Sequence, residues 1–240
     1  MSRYNIFASY YDRLTENVQY KARAEYVSGF FSASKDGETL LDLACGTGTL
    51  AAYFSKMGYS VTGIDLSEEM LQAAYEKEIE NAVFIRGDMT DFTLPYKVDN
   101  CVCSLDSINH LTDIEEVKKC FKCAAEALNE GGVFVFDVNT PFKHKYVLAD
   151  NTFVFDEDEF FLSWDNEYLG EYTTRILLDF FVFNGENYDR YSEEIIEKAY
   201  TIDELSDALV DFETIGIYDD MSYDEPNDES ERIYFVCKRK

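Results

Sequence analysis

The spacing of hydrophobic positions changes twice along the chain and divides it into three kinds of segment. Over residues 4–32, Phe7, Tyr10, Tyr11 and Leu14, then Tyr26, Phe30 and Phe31, recur at helical intervals and predict one or two leading helices. The run LLDLACGTGTL (40–50) is short, apolar and ends in glycines. After it, Leu50, Ala51, Phe54 and Met57 fit a helix that Gly58 closes. A second strand follows at 61–67, and a helix at 67–78 opens on a serine cap with glutamates in its first turn. Strands at 82–89, 100–106 and 131–139 flank an amphipathic helix at 114–128. Strands alternating with helices predict a parallel sheet covered on both faces: an α/β, Rossmann-like, doubly wound fold.

From Phe153 to Tyr200 the period shortens to that of extended chain. Aromatic runs are separated by turn signals at Leu169-Gly170 and Asn184-Gly185, which predicts an inserted antiparallel sheet. A helix at 201–212 and strands at 213–220 and 232–238 finish the chain. With no linker and no repeat, residues 1–240 read as one domain, in which 1–35 form a helical lid and 150–200 an antiparallel cap over the active site.

Composition narrows the function. The 240 residues are 46% hydrophobic with only 3 prolines, which describes a folded globule. Lys plus Arg number 21 against 48 Asp plus Glu, a net charge of −27, which excludes a basic nucleic-acid clamp and makes nucleic acid an improbable partner. The N-terminus lacks a signal-peptide core and no stretch approaches 18 apolar residues, so a cytoplasmic protein without membrane contact is expected. The six cysteines read as reduced thiols. Cys101, Cys103, Cys120 and Cys123 lie on a buried strand and a helix face, as core residues do, and no metal is expected.

The chemistry concentrates at the glycine turn. Gly46 and Gly48 stand where a strand becomes a helix, the place where backbone amides approach a ligand. No lysine follows them, which removes the P-loop reading, although Gly46 to Ala51 satisfies the loose dinucleotide pattern. Asp42 separates the remaining ligands. A carboxylate just ahead of the turn repels a pyrophosphate and favours a ligand that brings an ammonium group and no phosphate, as S-adenosylmethionine does. Asp65 is placed to accept two ribose hydroxyls, and Asp88 with Met89 offers an acceptor and an apolar wall to an adenine. Each acid alone also suits a helix cap or a solvated loop.

The motifs LLDLACGTGTL, VTGIDLSEEML, FIRGDMTDF, SLDSINHL and LNEGGVFVFDV, in that order, resemble those of the class I S-adenosylmethionine-dependent methyltransferases over residues 40–140. With YNIFASYYDRLT ahead and the antiparallel insert behind, the whole chain is similar to bacterial stand-alone small-molecule enzymes, including the amino-sugar N,N-dimethyltransferases. The resemblance implies a seven-stranded sheet with an antiparallel last strand. It implies Asp42 and Gly46 about the methionine part, Asp65 at the ribose, Leu66 and Met70 around the adenine, Asp88 and Met89 at its edge, and Leu105 beneath. Where the family often has glycine this chain has Ala44, so an ordinary backbone conformation is expected there. Tyr11 matches a tyrosine brought over the cofactor, or else packs in the core.

Methyl transfer from a sulfonium is an in-line displacement that needs a positioned lone pair and often a base. The segment SLDSINHL supplies Asp106, Ser107, Asn109 and His110 at the end of the fourth strand, with Asp106 and Asn109 read as acceptor-binding. His110 is one of two histidines and suits proton removal near neutrality, or it packs against the next helix. His144, between two lysines, reads as exposed. In the insert Trp164, Tyr168, Tyr172, Arg175 and Phe181 are candidates to line the acceptor site, Trp164 and Arg175 foremost, or else they pack the sheet. The expected reaction is methyl transfer to nitrogen or oxygen of a small molecule. The alternatives are an NAD-dependent oxidoreductase, a tRNA or rRNA methyltransferase, and a non-catalytic nucleoside-binding protein.

Overall fold

The structure is a computed structural model, and it describes residues 5–31 and 37–240. Expectations for residues 1–4 and 32–36, including the outer bounds of the leading helical segment, lie outside the described residues. Two leading helices, α1 (Asn5–Leu14) and α2 (Tyr20–Ser28), precede the first strand, β1 (Thr39–Leu43). Then come α3 (Thr49–Lys56), β2 (Ser60–Asp65), α4 (Glu68–Glu76), β3 (Ala82–Arg86), β4 (Val98–Cys103), α5 (Ile114–Ala127) and β5 (Leu128–Asn139). The extended region forms β6 (Thr152–Asp156), β7 (Phe160–Gly170), β8 (Thr173–Phe183) and β9 (Tyr188–Lys198). Helix α6 (Ile202–Ala208) and strands β10 (Phe212–Asp219) and β11 (Arg232–Arg239) end the chain.

The main sheet has the order β10-β11-β5-β4-β1-β2-β3. β3, β2, β1, β4 and β5 run parallel, and β11 is antiparallel to both β5 and β10. The order reverses at β1 and β4, so a crevice opens at the carboxyl ends of those two strands. Strand β1 is buried on both faces, as its unbroken apolar run requires. One core cluster, with Phe121, Phe134, Phe136 and Phe235, lies on the face covered by α5 and α6. The other, with Val27, Leu50, Phe54 and Tyr59, lies under α2 and α3.

The second sheet, β6-β7-β8-β9, is antiparallel throughout, and its period-2 pattern assigns its faces. Phe160, Leu162, Ile176, Leu178 and Phe180 form a buried row on one face, and Tyr10 and Leu14 of α1 pack on that row. Burial of these aromatic and aliphatic side chains joins insert and leading helix. Trp164 is half-buried on this inner face. Arg175 alternates out of it, lies half-buried on the opposite face and is bonded to Glu167, so the pairing of Trp164 with Arg175 in one pocket does not hold. Phe181 lies on the outer side with Arg175, where Arg190 covers its ring.

The glycine turn corrects a second expectation. Ala44 has φ of +55°, in the left-handed region. It follows β1 directly and precedes a turn in which Cys45 N–H donates to the Ile64 carbonyl, so the chain must reverse at once and Ala44 bears the strain. Gly48 is also left-handed, with φ of +71°, and a Cβ there would meet the Phe84 ring at 2.8 Å. Ala44→Gly is therefore expected to leave the unfolding free energy unchanged or raise it by up to about 1 kcal/mol. Gly48→Ala is expected to lower it by more than about 1 kcal/mol. Urea denaturation of the two variants checks both signs.

Candidate functional site

A cavity opens at the head of the sheet between β1 and β4, lined by Tyr11, Tyr20, Asp42, Ala44, Gly46, Ser104, Leu105 and Ser107 among others. Its floor is the turn after β1 and its roof comes from the leading helices. Asp42 is 2% exposed, and its Oδ2 has no hydrogen-bond partner among the described residues. Burial, reinforced by the Asp65 charge, pushes its carboxyl up to about 8. A buried carboxylate oxygen left without a donor fits a ligand that carries one, and an ammonium group fits best because it also supplies the missing charge.

Asp65 at the end of β2 tells a different story. Its two oxygens accept from Gly46 N–H at 2.8 Å and Ser67 N–H at 2.9 Å, which ties the glycine turn to the start of α4. Burial raises its carboxyl above the usual range against those bonds. Each oxygen keeps a second lone pair for a hydroxyl. Leu66 is exposed beside it, and Met70 lies half-buried at the first turn of α4, where its N–H donates to Ser67 Oγ at 3.1 Å. Asp88 is exposed after β3 and accepts from Thr90 N–H and Oγ at 2.8 Å, while Met89 packs on the core below.

The roof is latched by residues that the sequence reading passed over. Asp12 of α1 accepts from Thr47 Oγ1 at 2.6 Å and Thr49 Oγ1 at 2.9 Å, and Lys77 pairs with it at 2.6 Å. Burial raises the Asp12 carboxyl, but Lys77 and the two hydroxyls outweigh burial and hold it below its usual value. This latch sets Tyr11, the preceding residue, into the cavity. There the Tyr11 and Tyr20 side chains bond each other, and burial, with the neighbouring Tyr20 and Asp106, lifts the Tyr11 hydroxyl well above its ordinary value.

After β4 the chain makes a strained turn in which Leu105 and Asp106 both take positive φ, +57° and +53°. Asp137, fully buried at the end of β5, holds it by accepting from Leu105 N–H at 2.9 Å and Asp106 N–H at 3.1 Å. Arg232 at the start of β11 bonds Asp137 and reaches Asp106 Oδ1 at 2.6 Å. Burial works to raise the Asp106 carboxyl, but Arg232, Lys143 and His110 bring it down to about 2. Asp106 is thus an ionised, clamped group at the cavity's edge. Asn109, expected to contact the acceptor, is fully buried instead. Its amide donates to the carbonyls of Asn139 at 3.1 Å and Lys198 at 3.0 Å and accepts from Asn139 N–H, so it stitches the turn to β5 and β9.

His110 ends the 3₁₀ turn Ser107–His110, with 45% of its side chain exposed at the mouth. Surrounding protein lowers its imidazole below the usual value, against the opposing pull of Asp106 and Asp65, so the ring is neutral at pH 7. His144 reverses its expectation. It lies in a π-helical segment, Lys143–Leu148, and is fully buried, because the insert folds over it and Thr174 Oγ1 pairs with its Nδ1 at 3.1 Å. Burial lowers its imidazole to about 4. Between the two histidines stands Glu197 of β9, another residue the sequence reading passed over.

Two substitutions separate the roles of these carboxylates. Asp42 holds its proton to about pH 8 in the folded chain, whereas the unfolded chain ionises near pH 4, so its burial costs more stability as pH rises between those values. Asp42→Asn is therefore expected to raise the unfolding free energy at pH 7 by on the order of 1 kcal/mol or more. Arg232→Leu leaves Asp106 and Asp137 buried without their cation and is expected to cost about 3–5 kcal/mol. Chemical denaturation at pH 7 measures both, and opposite signs are the expected result.

Comparisons with known proteins identify the family. Residues 40–132 match the family described as a methyltransferase domain. The chain is 32% identical to the protein described as "Putative methyltransferase YqeM" of Bacillus subtilis (strain 168), over 98% of this chain and 97% of that one. A dTDP-3-amino-3,4,6-trideoxy-alpha-D-glucopyranose N,N-dimethyltransferase of Streptomyces venezuelae is 35% identical over 52% of each chain. The crystal structure of an S-adenosylmethionine-dependent methyltransferase from Clostridium acetobutylicum ATCC 824 superposes with a TM-score of 0.86 at 32% identity, covering 99% of both chains. At 32% identity over nearly the full length of both relatives, on a sheet of this order, the chain belongs to the S-adenosylmethionine-dependent methyltransferase family.

Proposed function

We propose that this methyltransferase acts on the nitrogen of a small, amine-bearing molecule, with His110 as the base. The observation that carries this reading is the neutral imidazole of His110, half-open at the mouth of the cavity and flanked by the carboxylates of Asp65 and Asp106. S-adenosylmethionine, once bound, supplies an electrophilic methyl group and a neutral thioether leaving group. Asp42 would hold its ammonium, Asp65 its ribose hydroxyls, and Tyr11 with Leu105 its flanks.

The remaining work falls to the acceptor side. An amine attacks only as its free base, and methylation leaves one proton to be removed. His110, uncharged once the pH is above its lowered value, takes it where its free lone pair faces the acceptor, and the ionised Asp106 nearby stabilises the imidazolium that results. The inner face of the insert adds Trp164 as an apolar wall and Glu193 as a carboxyl whose proton is held more tightly by burial and by Glu69. An acidic field of this kind draws a cationic amine in and repels polyanions, which supports a small molecule over a nucleic acid. The similarity to an amino-sugar N,N-dimethyltransferase points to the same acceptor atom. Among the described residues no helix is long and apolar enough to cross a membrane, and the six cysteines are free, which supports the cytoplasmic reading.

Two measurements test the proposal. S-adenosylhomocysteine at a hundred times its Kd is expected to stabilise the protein by about 2.7 kcal/mol, a rise of roughly 5–11 °C in Tm, whereas NADH produces no shift. Stabilisation by NADH alone contradicts the reading. Incubation with methyl-labelled cofactor and a fractionated cell extract, followed by mass spectrometry, is expected to find the label on nitrogen of a small molecule. His110→Ala is expected to lower that transfer by about 10²–10⁴-fold while product binding persists.

A further inference from the structure

Glu197 is a buried ionisable group that the mechanism above does not use. It lies on the inward face of β9, directly across from Thr174 of β8, and is 6% exposed. Its Oε1 stands 3.7 Å from His110 Nε2 and its Oε2 stands 3.9 Å from His144 Nε2. His144 Nε2 is fully buried with no hydrogen-bond partner, while Thr174 Oγ1 fixes the other nitrogen of that ring. A single carboxyl thus sits between two imidazole edges, one locked in the interior and one open at the mouth. Both gaps lie a few tenths of an ångström beyond a hydrogen bond.

From this arrangement we infer that Glu197 is a positioning residue for His110, setting which ring nitrogen carries hydrogen and which presents its lone pair to the acceptor. The inference rests on His110 being the base. When Glu197 is ionised it accepts from His110 Nε2–H, which leaves Nδ1 with a free lone pair. When Glu197 is protonated it donates to Nε2, which moves the hydrogen to Nδ1 and blocks that lone pair. The same pattern of base and orienting carboxyl serves other proton-transfer sites.

The balance of the step follows. The amine nitrogen forms its bond to the methyl carbon as the carbon–sulfur bond breaks, the bonding pair passing to sulfur. The alkylated nitrogen then gives one proton to His110 Nδ1. The imidazolium, hydrogen-bonded through Nε2 to the Glu197 carboxylate, loses that proton to solvent from its exposed edge.

The groups that face Glu197 come from four elements: His110 and Asp106 after β4, Lys143 and His144 of the π-helical segment, Thr174 of β8, and Arg232 of β11. Burial and the Asp106 charge raise its carboxyl against Lys143 and Arg232, to about 8. The tautomer of His110 therefore changes as pH passes through the neighbourhood of 8, with the Nε2–H form dominant above it.

The chain has only two histidines, so the imidazole nitrogen spectrum of the ¹⁵N-labelled full-length protein is simple enough to read directly. His110→Asn assigns the signals. In the wild type the His110 nitrogens are expected to exchange their protonated and unprotonated shifts between about pH 7 and 9. In Glu197→Gln that exchange is absent, while the lower-pH protonation of His110 persists. A wild-type ring with one tautomer across this range overturns the inference without any variant, and so does an unchanged exchange in Glu197→Gln. Calorimetric binding of S-adenosylhomocysteine to both proteins keeps the two readings apart. Unchanged binding with no tautomer exchange in the wild type rejects the role of Glu197 alone, whereas label transfer that persists in His110→Asn rejects the base beneath it.

Discussion

Three carboxylates stand at the carboxyl ends of the neighbouring strands β1, β4 and β5, and one arginine, Arg232, bonds two of them. Arg232 pairs with Asp106 and Asp137 and leaves Asp42 alone in the cavity. The cost of an ionised, unpartnered carboxylate in a low-dielectric site is large, so the free protein keeps Asp42 protonated. A ligand that brings its own positive charge removes that cost. On the proposed assignment of Asp42 to the cofactor's ammonium, selectivity for a phosphate-free, cationic nucleoside rests on how charge is distributed over the sheet's end, and the glycines make room for it.

The Asp106–Arg232–Asp137 cluster has a second effect. Two successive left-handed residues after β4 are an unfavourable backbone, and the buried Asp137 carboxylate, which takes both of their N–H groups, is what holds them. Because Arg232 belongs to the antiparallel last strand, this turn is tied to the far end of the chain. The insert contributes from the other side: its inner face packs Tyr10 and Leu14, buries His144 and carries Glu197 toward His110. Scaffold and insert thus meet at one imidazole, and the leading helix packs on the insert beside them.

Much of this was legible in the sequence because the relevant signals are local. Strand and helix periodicity, the glycine turn, and acids at the ends of β1 and β2 depend on residues close together in the chain. What was not legible depends on partners far apart. Nothing beside Ala44 announces that its turn must be left-handed, since the demand comes from the sheet register with β2. His144 sits between lysines, yet the insert covers it. Asn109 looked like a ligand in a loop and proved to be a fully bonded stitch between β5 and β9. Arg175 was misplaced by one step of the period-2 alternation that separates the two faces of β8. Asp137 and Glu197 did carry a weak signal, as charged residues on the inward positions of their strands, but their partners lie 95 residues away for Asp137 and on separate elements for Glu197.

The central claim is that Asp42 is a proton-holding seat for a cation, and proton linkage on cofactor binding tests it most directly. Isothermal titration of S-adenosylmethionine at pH 6.5, in buffers of different ionisation enthalpy, counts the protons exchanged. The account predicts release approaching one proton per cofactor bound in the wild type and none in Asp42→Asn. Binding whose heat is independent of the buffer, or accompanied by net proton uptake, would contradict it.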